Sequence, residues 1–299
     1  MKTETKTVVI YHRADFDGIF CREIARKFLG DAAVFIGWDY GDPVPSPDQV
    51  SAEDTVYMLD ISIEGLMGHP KLIWIDHHKS AIEKFPTTIP GYRIDGVAAC
   101  RLAYQWFYRV KQGMDMPVKQ EYLNRTLNEP YAVQLAGEYD IWDKRNPEAE
   151  TFQFGLRAKE LEATDWQELL AGDVEGAKFT AEVVRVGRAL QTYQQGVDAG
   201  TVKHRSFTVK FAGLVFLALN TARCNSLTFA AAVKPEHDAL MGFYWTGTSW
   251  KVSLYHAPGQ EHHDLSQIAV TYGGGGHRGA CGFEVGKMPV PIPTLPFPW

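Results

Sequence analysis

The sequence predicts an α/β protein with an N-terminal parallel sheet, flanking helices and a smaller C-terminal α/β domain, with a cleft between the two domains. Three observations lead to this prediction. The chain has 299 residues, which allows one large domain or two of about 150 residues each. In its N-terminal part, short apolar runs alternate with polar or helical segments, which is typical of parallel strands covered on both faces. Strand-like runs dominate again after residue 201.

Four apolar runs predict the strands of the N-terminal sheet. The first, 7–11 (TVVIY), is a continuous β-branched and aromatic run of the kind found in buried parallel strands. The segment after it has apolar residues at helical spacing and is expected to form a helix. The other strands are expected at 33–38, 55–60 and 72–76.

The pattern turns helical beyond Gly96, where the segments lack interior strand signals. The longest helical segment precedes Gly196 and Gly200, after which the character of the chain changes again. The predicted helices are 97–110, 119–127, 130–139 and about 173–193. In the C-terminal part, strands are expected at 204–212, 214–220, 237–245 and 250–257, with a helix at 226–233.

We therefore predict a domain boundary near residues 190–200. The predicted parts are a metal-binding catalytic domain at 1–190, a linker at 191–200, a substrate-binding domain at 201–288 and a tail at 289–299. Five of the eleven residues of the tail are proline, which favours an extended strap over a helix.

Composition and charge restrict the class of protein. The chain is 45% hydrophobic and 22% charged, as in an average globular protein. No apolar run reaches the roughly 18 residues of a membrane span, and the N-terminus lacks a signal-like apolar core. We expect a soluble, cytoplasmic protein with no membrane partner.

The net charge of −6 argues against a protein that binds long nucleic acid along its backbone, since such proteins carry a basic stripe. A phosphate-containing substrate should therefore be short. The four cysteines have no CxxC spacing, so neither a zinc knuckle nor a redox pair is indicated.

Acidic and imidazole residues follow three of the predicted strands. They are His12, Asp15 and Asp17 after the first strand, Asp60 at the end of 55–60, and Asp76, His77 and His78 at the end of 72–76. Because the carboxyl ends of parallel strands lie at one edge of the sheet, we expect these side chains to converge. So many carboxylates repel one another unless cations neutralise them, which predicts a pair of divalent metal ions.

The residue types indicate which ions fit. Carboxylate oxygen and imidazole nitrogen without thiolate suit manganese, magnesium, iron, cobalt or zinc, and an imidazole in each half of the site favours Mn²⁺, with Mg²⁺ or Co²⁺ as alternatives. Asp15 and Asp17 in a tight turn can reach different ions, and Gly18 relieves the turn and begins a helix. Asp60 is placed to bridge both ions.

Each of these elements has a structural interpretation when taken alone. A D-x-D-G sequence is common in turns and helix caps, and His77 and His78 could cap a strand end. Three strand ends that carry such groups together favour the metal site.

Five motifs in this order resemble those of the DHH phosphoesterase superfamily with its DHH-associated C-terminal domain. They are HRADFDG (12–18), VYMLD (56–60), IDHH (75–78), GEYDIWDK (137–144) and GGGGHRGACGF (273–283). The resemblance covers about 7–285. Within the superfamily, the chain is similar to the short-oligoribonucleotide hydrolases (nanoRNases) and to related cyclic-nucleotide or dinucleotide phosphodiesterases.

The resemblance implies a set of site residues. One ion would be bound by His12, Asp15 and Asp60, and the other by Asp17, Asp60, His77 and Asp140. Asp143 is an alternative to Asp140. Asp140 is preferred because it aligns with the family's helix-end aspartate. Asp76 would fix the turn or orient an imidazole, His78 would face the substrate phosphate, and Asp60 and His78 would be the catalytic residues.

A glycine run in the second domain is the predicted substrate-binding loop. A glycine run alone is more often a hinge or a tight turn, but the His-Arg pair that follows it favours phosphate binding by backbone amides and a guanidinium. The residues implied are Gly274, Gly275, Gly276, His277 and Arg278. The nearby sequence His262-His263-Asp264 looks like a metal motif, but Asp264 is better explained as a helix N-cap.

The predicted function is two-metal hydrolysis of short oligoribonucleotides, such as nanoRNA and linear dinucleotides like pGpG, to mononucleotides. The alternatives are a cyclic mono- or dinucleotide phosphodiesterase, a pyrophosphatase-like phosphohydrolase and a non-catalytic nucleotide-binding protein. The expected partner is a short RNA or nucleotide substrate and not long nucleic acid. A homodimer is expected only from the family resemblance.

Overall fold

The structure, a computed structural model, describes residues 5–222 and 224–292. The chain divides into two compact units, 1–190 and 191–299, and each has its own sheet. Of the predicted proline-rich tail 289–299, residues 293–299 lie outside the described residues. Among the described residues, no helix combines the length and apolar character that crossing a membrane requires.

The sheet of the first unit is entirely parallel, in the order β2-β1-β3-β4-β5. Its strands are β1 (Thr7–His12), β2 (Val34–Trp38), β3 (Thr55–Leu59), β4 (Leu72–Asp76) and β5 (Gly91–Arg93). The chain passes from β1 to β2 on one side and then to β3 on the other side of β1. The strand order therefore reverses beside the carboxyl end of β1, which is where open α/β sheets bind ligands.

Helices cover both faces of this sheet. They are α1 (Phe16–Leu29), α2 (Lys79–Lys84), α3 (Ala99–Val110), α4 (Lys119–Leu123), α5 (Tyr131–Asp140), α6 (Glu148–Leu156), α7 (Ala163–Leu169) and the first part of α8 (Val174–Arg205), with a short 3₁₀ helix at Glu64–Leu66. Val9 belongs to one buried apolar cluster, whereas its neighbours Val8 and Ile10 belong to another. Because successive side chains of a strand point to opposite faces, both faces of the sheet are buried.

The second unit contains a mixed sheet in the order β10-β11-β9-β8-β7-β6, together with the last part of α8 and, among its described residues, one further α-helix and one 3₁₀ helix. Its elements are β6 (Phe207–Phe211), β7 (Leu214–Asn220), the 3₁₀ helix Ser226–Phe229, β8 (Ala239–Trp245), β9 (Trp250–His256), α9 (Leu265–Thr271), β10 (Gly275–His277) and β11 (Ala280–Val285). The β7–β8 pair is parallel and the other pairs are antiparallel. The predicted fold class, a helix-flanked parallel sheet followed by a smaller α/β domain, is confirmed.

The long helix α8 differs from the prediction, which ended it near residue 193. It continues to Arg205 through Gly196 and Gly200, so the predicted linker 191–200 is helical. A glycine inside a helix costs about 1 kcal/mol relative to alanine but does not end the helix. The strand predicted from residue 204 consequently begins later, at Phe207.

Candidate metal centre

Three of the predicted ligands, His12, Asp15 and Asp17, lie where β1 ends and α1 begins. His12 is the last residue of β1, and Asp15 caps α1 by accepting a hydrogen bond from the Gly18 amide at 3.0 Å. A Cβ atom at Gly18 would lie 1.9 Å from the carbonyl oxygen of His12, so only glycine allows this close approach. Because Gly18 has no side chain, the first turn of α1 can pack directly against the end of β1.

Asp60, directly after β3, has an unusual backbone conformation. Its φ is 60°, in the left-handed region that residues other than glycine adopt rarely and aspartate tolerates better than most. The Asp60 amide donates a hydrogen bond to the carbonyl of Ile75 at 2.9 Å, and the residue is 1% exposed. Backbone outliers of this kind concentrate at functional sites.

Two groups of ligand atoms meet at Asp60. In the first group, Nδ1 of His12 lies 3.0 Å from Oδ2 of Asp15 and 3.5 Å from Oδ2 of Asp60. The ligand atoms of this group all lie within 4.8 Å of one another. This arrangement can hold one cation among three side chains.

The second group is centred on His77. Its Nε2 atom lies 3.6 Å from Oδ2 of Asp17, 3.4 Å from Oδ1 of Asp60 and 3.3 Å from Oδ2 of Asp140. Asp17, His77 and Asp140 again place ligand atoms within 4.8 Å of one another. Asp60 thus faces each group with a different oxygen, which is the geometry of a bridging carboxylate.

Two buried polar atoms in this cluster lack a hydrogen-bond partner in the described part of the chain, as expected for atoms that bind a cation. Nδ1 of His12 and Oδ1 of Asp60 are buried and have no hydrogen-bond partner among the described residues. Buried polar atoms without a partner are costly, and a metal ion would satisfy both of these. The donor set of imidazole nitrogen and carboxylate oxygen, without thiolate, suits Mn²⁺ and similar ions.

Asp39 is a further candidate site residue, which the sequence reasoning missed. Its Oδ1 atom accepts a hydrogen bond from Nε2 of His12 at 3.3 Å. With the proton on Nε2, the lone pair of Nδ1 points towards the first group, and such carboxylate–histidine contacts orient metal-binding imidazoles. Asp39 directly follows β2, so its place at the same sheet edge was the signal that could have identified it.

Helix α3 orients Asp17. The two carboxylate oxygens of Asp17 accept hydrogen bonds from the amides of Ala99 and Cys100, both at 2.8 Å. These amides belong to the first turn of α3, where the helix dipole favours negative charge. Asp17 is 2% exposed, so its charge is stabilised by these amides on one side and faces His77 on the other.

Asp76 fixes both histidines of the IDHH motif. The carboxylate is fully buried, and its Oδ1 atom accepts hydrogen bonds from the amides of His77 at 2.7 Å and His78 at 3.1 Å and from Nδ1 of His78 at 2.7 Å. Oδ2 accepts a hydrogen bond from the indole of Trp74 at 3.1 Å. His78 also places a ligand atom within 4.8 Å of ligand atoms of Asp60 and His77, and its Nδ1 lies 3.9 Å from Oδ1 of Asp60.

The structure places Asp140, and not Asp143, in the cluster. Asp140 is the last residue of α5 and faces His77. Asp143 instead accepts a hydrogen bond from Nε of Arg145 at 2.8 Å, and Arg145 lowers the pKa of its carboxyl. An aspartate already paired with arginine is a poor metal ligand, so the geometry favours Asp140.

The pKa shifts show how strongly the cluster attracts positive charge. Burial and the adjacent charge of Asp17 raise the pKa values of Asp60 and Asp140 well above the usual aspartate range. Burial lowers the pKa of His12, but the adjacent carboxylates of Asp15 and Asp60 outweigh it and raise this pKa to about 11. Without metal the cluster therefore retains protons, which divalent ions would displace.

The glycine run of the second unit forms a short strand rather than the predicted loop. Gly275 to His277 are β10, an edge strand that pairs with β11. A Cβ at Gly274 would lie 2.1 Å from the carbonyl oxygen of Gly282, and one at Gly276 would lie 2.7 Å from the Cα of Cys281. These two glycines therefore permit close packing on β11, whereas a Cβ at Gly275 would meet nothing within 4 Å.

Arg278 lies in the turn after β10 and is exposed. Its guanidinium donates hydrogen bonds to the carbonyls of His262 and His263, the latter at 3.2 Å. His277 is exposed beside it. The alternative explanation of Asp264 is confirmed, since it is the N-cap of α9 and accepts a hydrogen bond from the Ser266 amide at 3.2 Å.

No protein-family model matches the sequence, and no curated protein is significantly similar to it. Solved structures are similar. A DHH domain from a member of a family of ribosomal proteins has a TM-score of 0.57 and 12% identity, over 94% of this chain and 82% of that one. An exopolyphosphatase-related protein from Bacteroides fragilis has a TM-score of 0.51 and 12% identity, over 96% and 88% of the two chains. A pGpG-specific phosphodiesterase from Vibrio cholerae has a TM-score of 0.46 and 13% identity, over 94% of each chain.

Proposed function

We propose that this chain, which has the fold of a DHH-domain protein, is a two-metal phosphodiesterase that hydrolyses short oligoribonucleotides, including linear dinucleotides such as pGpG, to mononucleotides. The observation that carries the proposal is the pair of ligand groups that share Asp60. Two adjacent divalent ions are typical of enzymes that hydrolyse phosphodiester bonds.

The chain's own residues would hold the two ions. The first would be bound by His12, Asp15 and Asp60, and the second by Asp17, Asp60, His77 and Asp140. Four carboxylates in these two groups balance the charge of two dications. Bound at this position, divalent ions polarise phosphoryl oxygens and lower the pKa of water. An imidazole in each group supports Mn²⁺ over Mg²⁺, with Co²⁺ also suitable.

Other residues would position these groups and handle the proton of the leaving oxygen. Asp39 and Asp76 fix the rings of His12 and His78 through hydrogen bonds at 3.3 and 2.7 Å. Because Nδ1 of His78 forms a hydrogen bond with Asp76, Nε2 of the same ring would donate a proton to the leaving oxygen of the substrate. Asp60 would keep the two ions at a fixed separation.

The proposed substrate is short because the chain has a net charge of −6 and therefore repels long polyanions. In the second unit, His277 and Arg278 are the proposed phosphate-binding residues. The guanidinium of Arg278 has five N–H donors, and its two hydrogen bonds to carbonyls leave further donors for a phosphate. The amides of the edge strand β10 would add neutral donors.

The test is a comparison of substrates with purified protein and Mn²⁺. A diribonucleotide, a long single-stranded RNA, a cyclic mononucleotide and pyrophosphate are incubated separately, and the products are resolved by chromatography. We expect mononucleotides from the diribonucleotide and little product from the long RNA. Release of phosphate from pyrophosphate alone, or hydrolysis of the cyclic nucleotide alone, would replace this proposal with a different phosphohydrolase activity.

Two variants show whether the proposed site is responsible. Asp60→Asn keeps the shape of the side chain and removes the bridging charge, so it should abolish turnover. Asp143→Asn, three residues beyond Asp140, should retain turnover because Asp143 lies outside both ligand groups. Equal activity of these two variants would locate the reaction elsewhere.

A further inference from the structure

A cavity of about 480 Å³ lies in the first unit, within the roughly 300–1,000 Å³ that is typical of small-molecule sites. It is formed by the segment after β2, the segment after β3, and α2. The lining residues that bear on a ligand include Trp38, Tyr40, Val44, Ser62, Ser80 and Phe85.

The cavity adjoins the metal-binding cluster. Ser62 follows Asp60 by two residues and Ser80 follows His78 by two residues, so both walls continue directly from the cluster. The ring of Tyr40 contacts the ring of His12 edge-on, with 6.0 Å between the centroids. A group bound in the cavity would therefore lie beside a phosphate held at the metal centre.

Aromatic and aliphatic surface forms much of the lining. Trp38 is largely buried, and its indole N–H donates to the carbonyl of Pro43 at 3.0 Å, so the indole needs no partner from the cavity. Tyr40 packs edge-on against Trp38 at 5.8 Å and is 58% exposed. Phe85 and the half-exposed Val44 extend this apolar surface. Aromatic rings exposed in a concave site are suited to stack on a flat ligand.

The polar groups of the cavity favour a neutral polar ligand. Its two carboxylates are already paired at the surface, Asp42 with Arg13 at 2.9 Å and Glu64 with Lys84 at 2.9 Å. The hydroxyls of Ser62 and Ser80 can accept or donate hydrogen bonds. The hydroxyl of Ser62 already forms a hydrogen bond with Tyr40, and that of Ser80 is exposed. A nucleobase combines a flat face with donors and acceptors along its edge, which can pair with these hydroxyls, whereas a purely apolar ligand cannot.

We propose that this cavity binds the nucleobase of one of the two nucleotides that flank the scissile phosphate. The inference rests on the proposed function and adds a base-binding site to it. The base stacks on Tyr40 and directs its polar edge towards Ser62 and Ser80. Base identity at this one position then influences the rate of hydrolysis.

The experiment compares a diribonucleotide with two analogues, each lacking the base of one nucleotide. For the wild type, removal of the base that occupies the cavity should lower kcat/KM at least tenfold, as expected for the loss of a base–aromatic stack. In Tyr40→Ala the same removal should make little further difference, so the ratio of kcat/KM with and without that base should fall towards one. Removal of the other base should affect wild type and variant by the same factor.

Two further variants sharpen the test. Val44→Trp fills the cavity and should lower kcat/KM for the full diribonucleotide at least tenfold. Tyr193→Ala removes another exposed tyrosine from α8, far along the chain from the cavity, and should leave the ratios of the wild type unchanged. Wild-type ratios in both Tyr40→Ala and Val44→Trp would overturn the proposal.

A binding measurement separates this inference from the proposed function. Titration calorimetry with adenosine and guanosine needs no turnover and no phosphate. Binding by the wild type that Val44→Trp abolishes would support the cavity even if no diribonucleotide were hydrolysed. Hydrolysis of the diribonucleotide, with neither nucleoside binding nor an effect of Val44→Trp on kcat/KM, would refute the cavity and leave the proposed function intact.

Discussion

Replacement of Gly18 by alanine tests how strictly the turn between β1 and α1 sets the metal ligands. The new Cβ would lie 1.9 Å from the carbonyl oxygen of His12, 2.6 Å from its carbonyl carbon and 2.7 Å from its Cβ. Ordinary contact begins at 3.4 Å, so the first turn of α1 would have to withdraw from β1 by about 1.5 Å. The clashing atoms are backbone or Cβ atoms, so a change of rotamer cannot relieve the clash.

The expected effect on metal binding is large. Metal–ligand distances tolerate changes of about 0.2 Å, so a displacement of about 1.5 Å would remove Asp15 or Asp17 from its ligand group. We expect the affinity for Mn²⁺ to fall at least 100-fold, which is about 2.7 kcal/mol. The overpacking should also lower the free energy of unfolding by about 1–3 kcal/mol.

Titration calorimetry with Mn²⁺ on metal-stripped protein measures the affinity, and urea unfolding measures the stability. The matched control is Gly196→Ala in α8, where a Cβ meets nothing within 4 Å. This control should keep the affinity of the wild type and gain up to about 1 kcal/mol of stability, because alanine favours the helix. A Gly18→Ala protein that binds Mn²⁺ like the wild type would refute the reasoning.

Three further predictions concern individual carboxylates. Asp140→Asn should reduce the Mn²⁺ retained after dialysis from two ions to one per chain, measured by elemental analysis, whereas Asp143→Asn should retain both; equal metal contents would contradict the choice of Asp140. Mn²⁺ at 100 times its Kd should stabilise the wild type in thermal unfolding by about 2.7 kcal/mol for each of the two proposed sites, and Asp60→Asn should lose most of this gain; an undiminished gain would argue against a bridging Asp60. Burial raises the pKa of Asp76 but hydrogen bonds from His78 outweigh it and hold this pKa below 3.8, so the charge stabilises the fold above that pH and stops doing so as the pH falls through the lowered pKa. Asp76→Asn should therefore lower the free energy of unfolding at pH 7. The difference from the wild type should shrink as the pH falls below 3.8 and disappear only once the pH is below the lowered pKa of Asp76; a difference that is constant with pH would contradict the role of the charge.

The convergence of the acidic and imidazole residues was predictable because of the strand topology. Parallel strands place their carboxyl ends at one edge whatever the sequence separation, so His12 and Asp60 had to approach each other once β1 and β3 were neighbours. The left-handed backbone of Asp60 was not predictable, since it depends on the hydrogen bond to Ile75 on the adjacent strand. Asp39 was missed because a single aspartate close to a glycine resembles an ordinary turn residue.

The second unit shows where local sequence reasoning fails. Gly275 and Gly276 have little intrinsic preference for a strand, yet they form part of β10 because they pair with β11. Strand pairing of this kind depends on contacts that form only when the chain folds. A glycine run in the sequence does not indicate which strand it will pair with. Helices α6 and α7 of the first unit were also missed, because their short apolar stretches lack a clear period.

The hydrogen bonds of Asp17 have a consequence for the order in which the two proposed ligand groups form. They join Asp17 to amides 82 and 83 residues further along the chain, so this carboxylate is oriented only after α3 has docked. The ligands of the first group have all been translated once Asp60 has emerged from the ribosome, whereas the second group also waits for Asp140. Under the proposed function, a chain that ends before Asp140 would therefore lack a ligand of the second group and would hold at most one of the two ions.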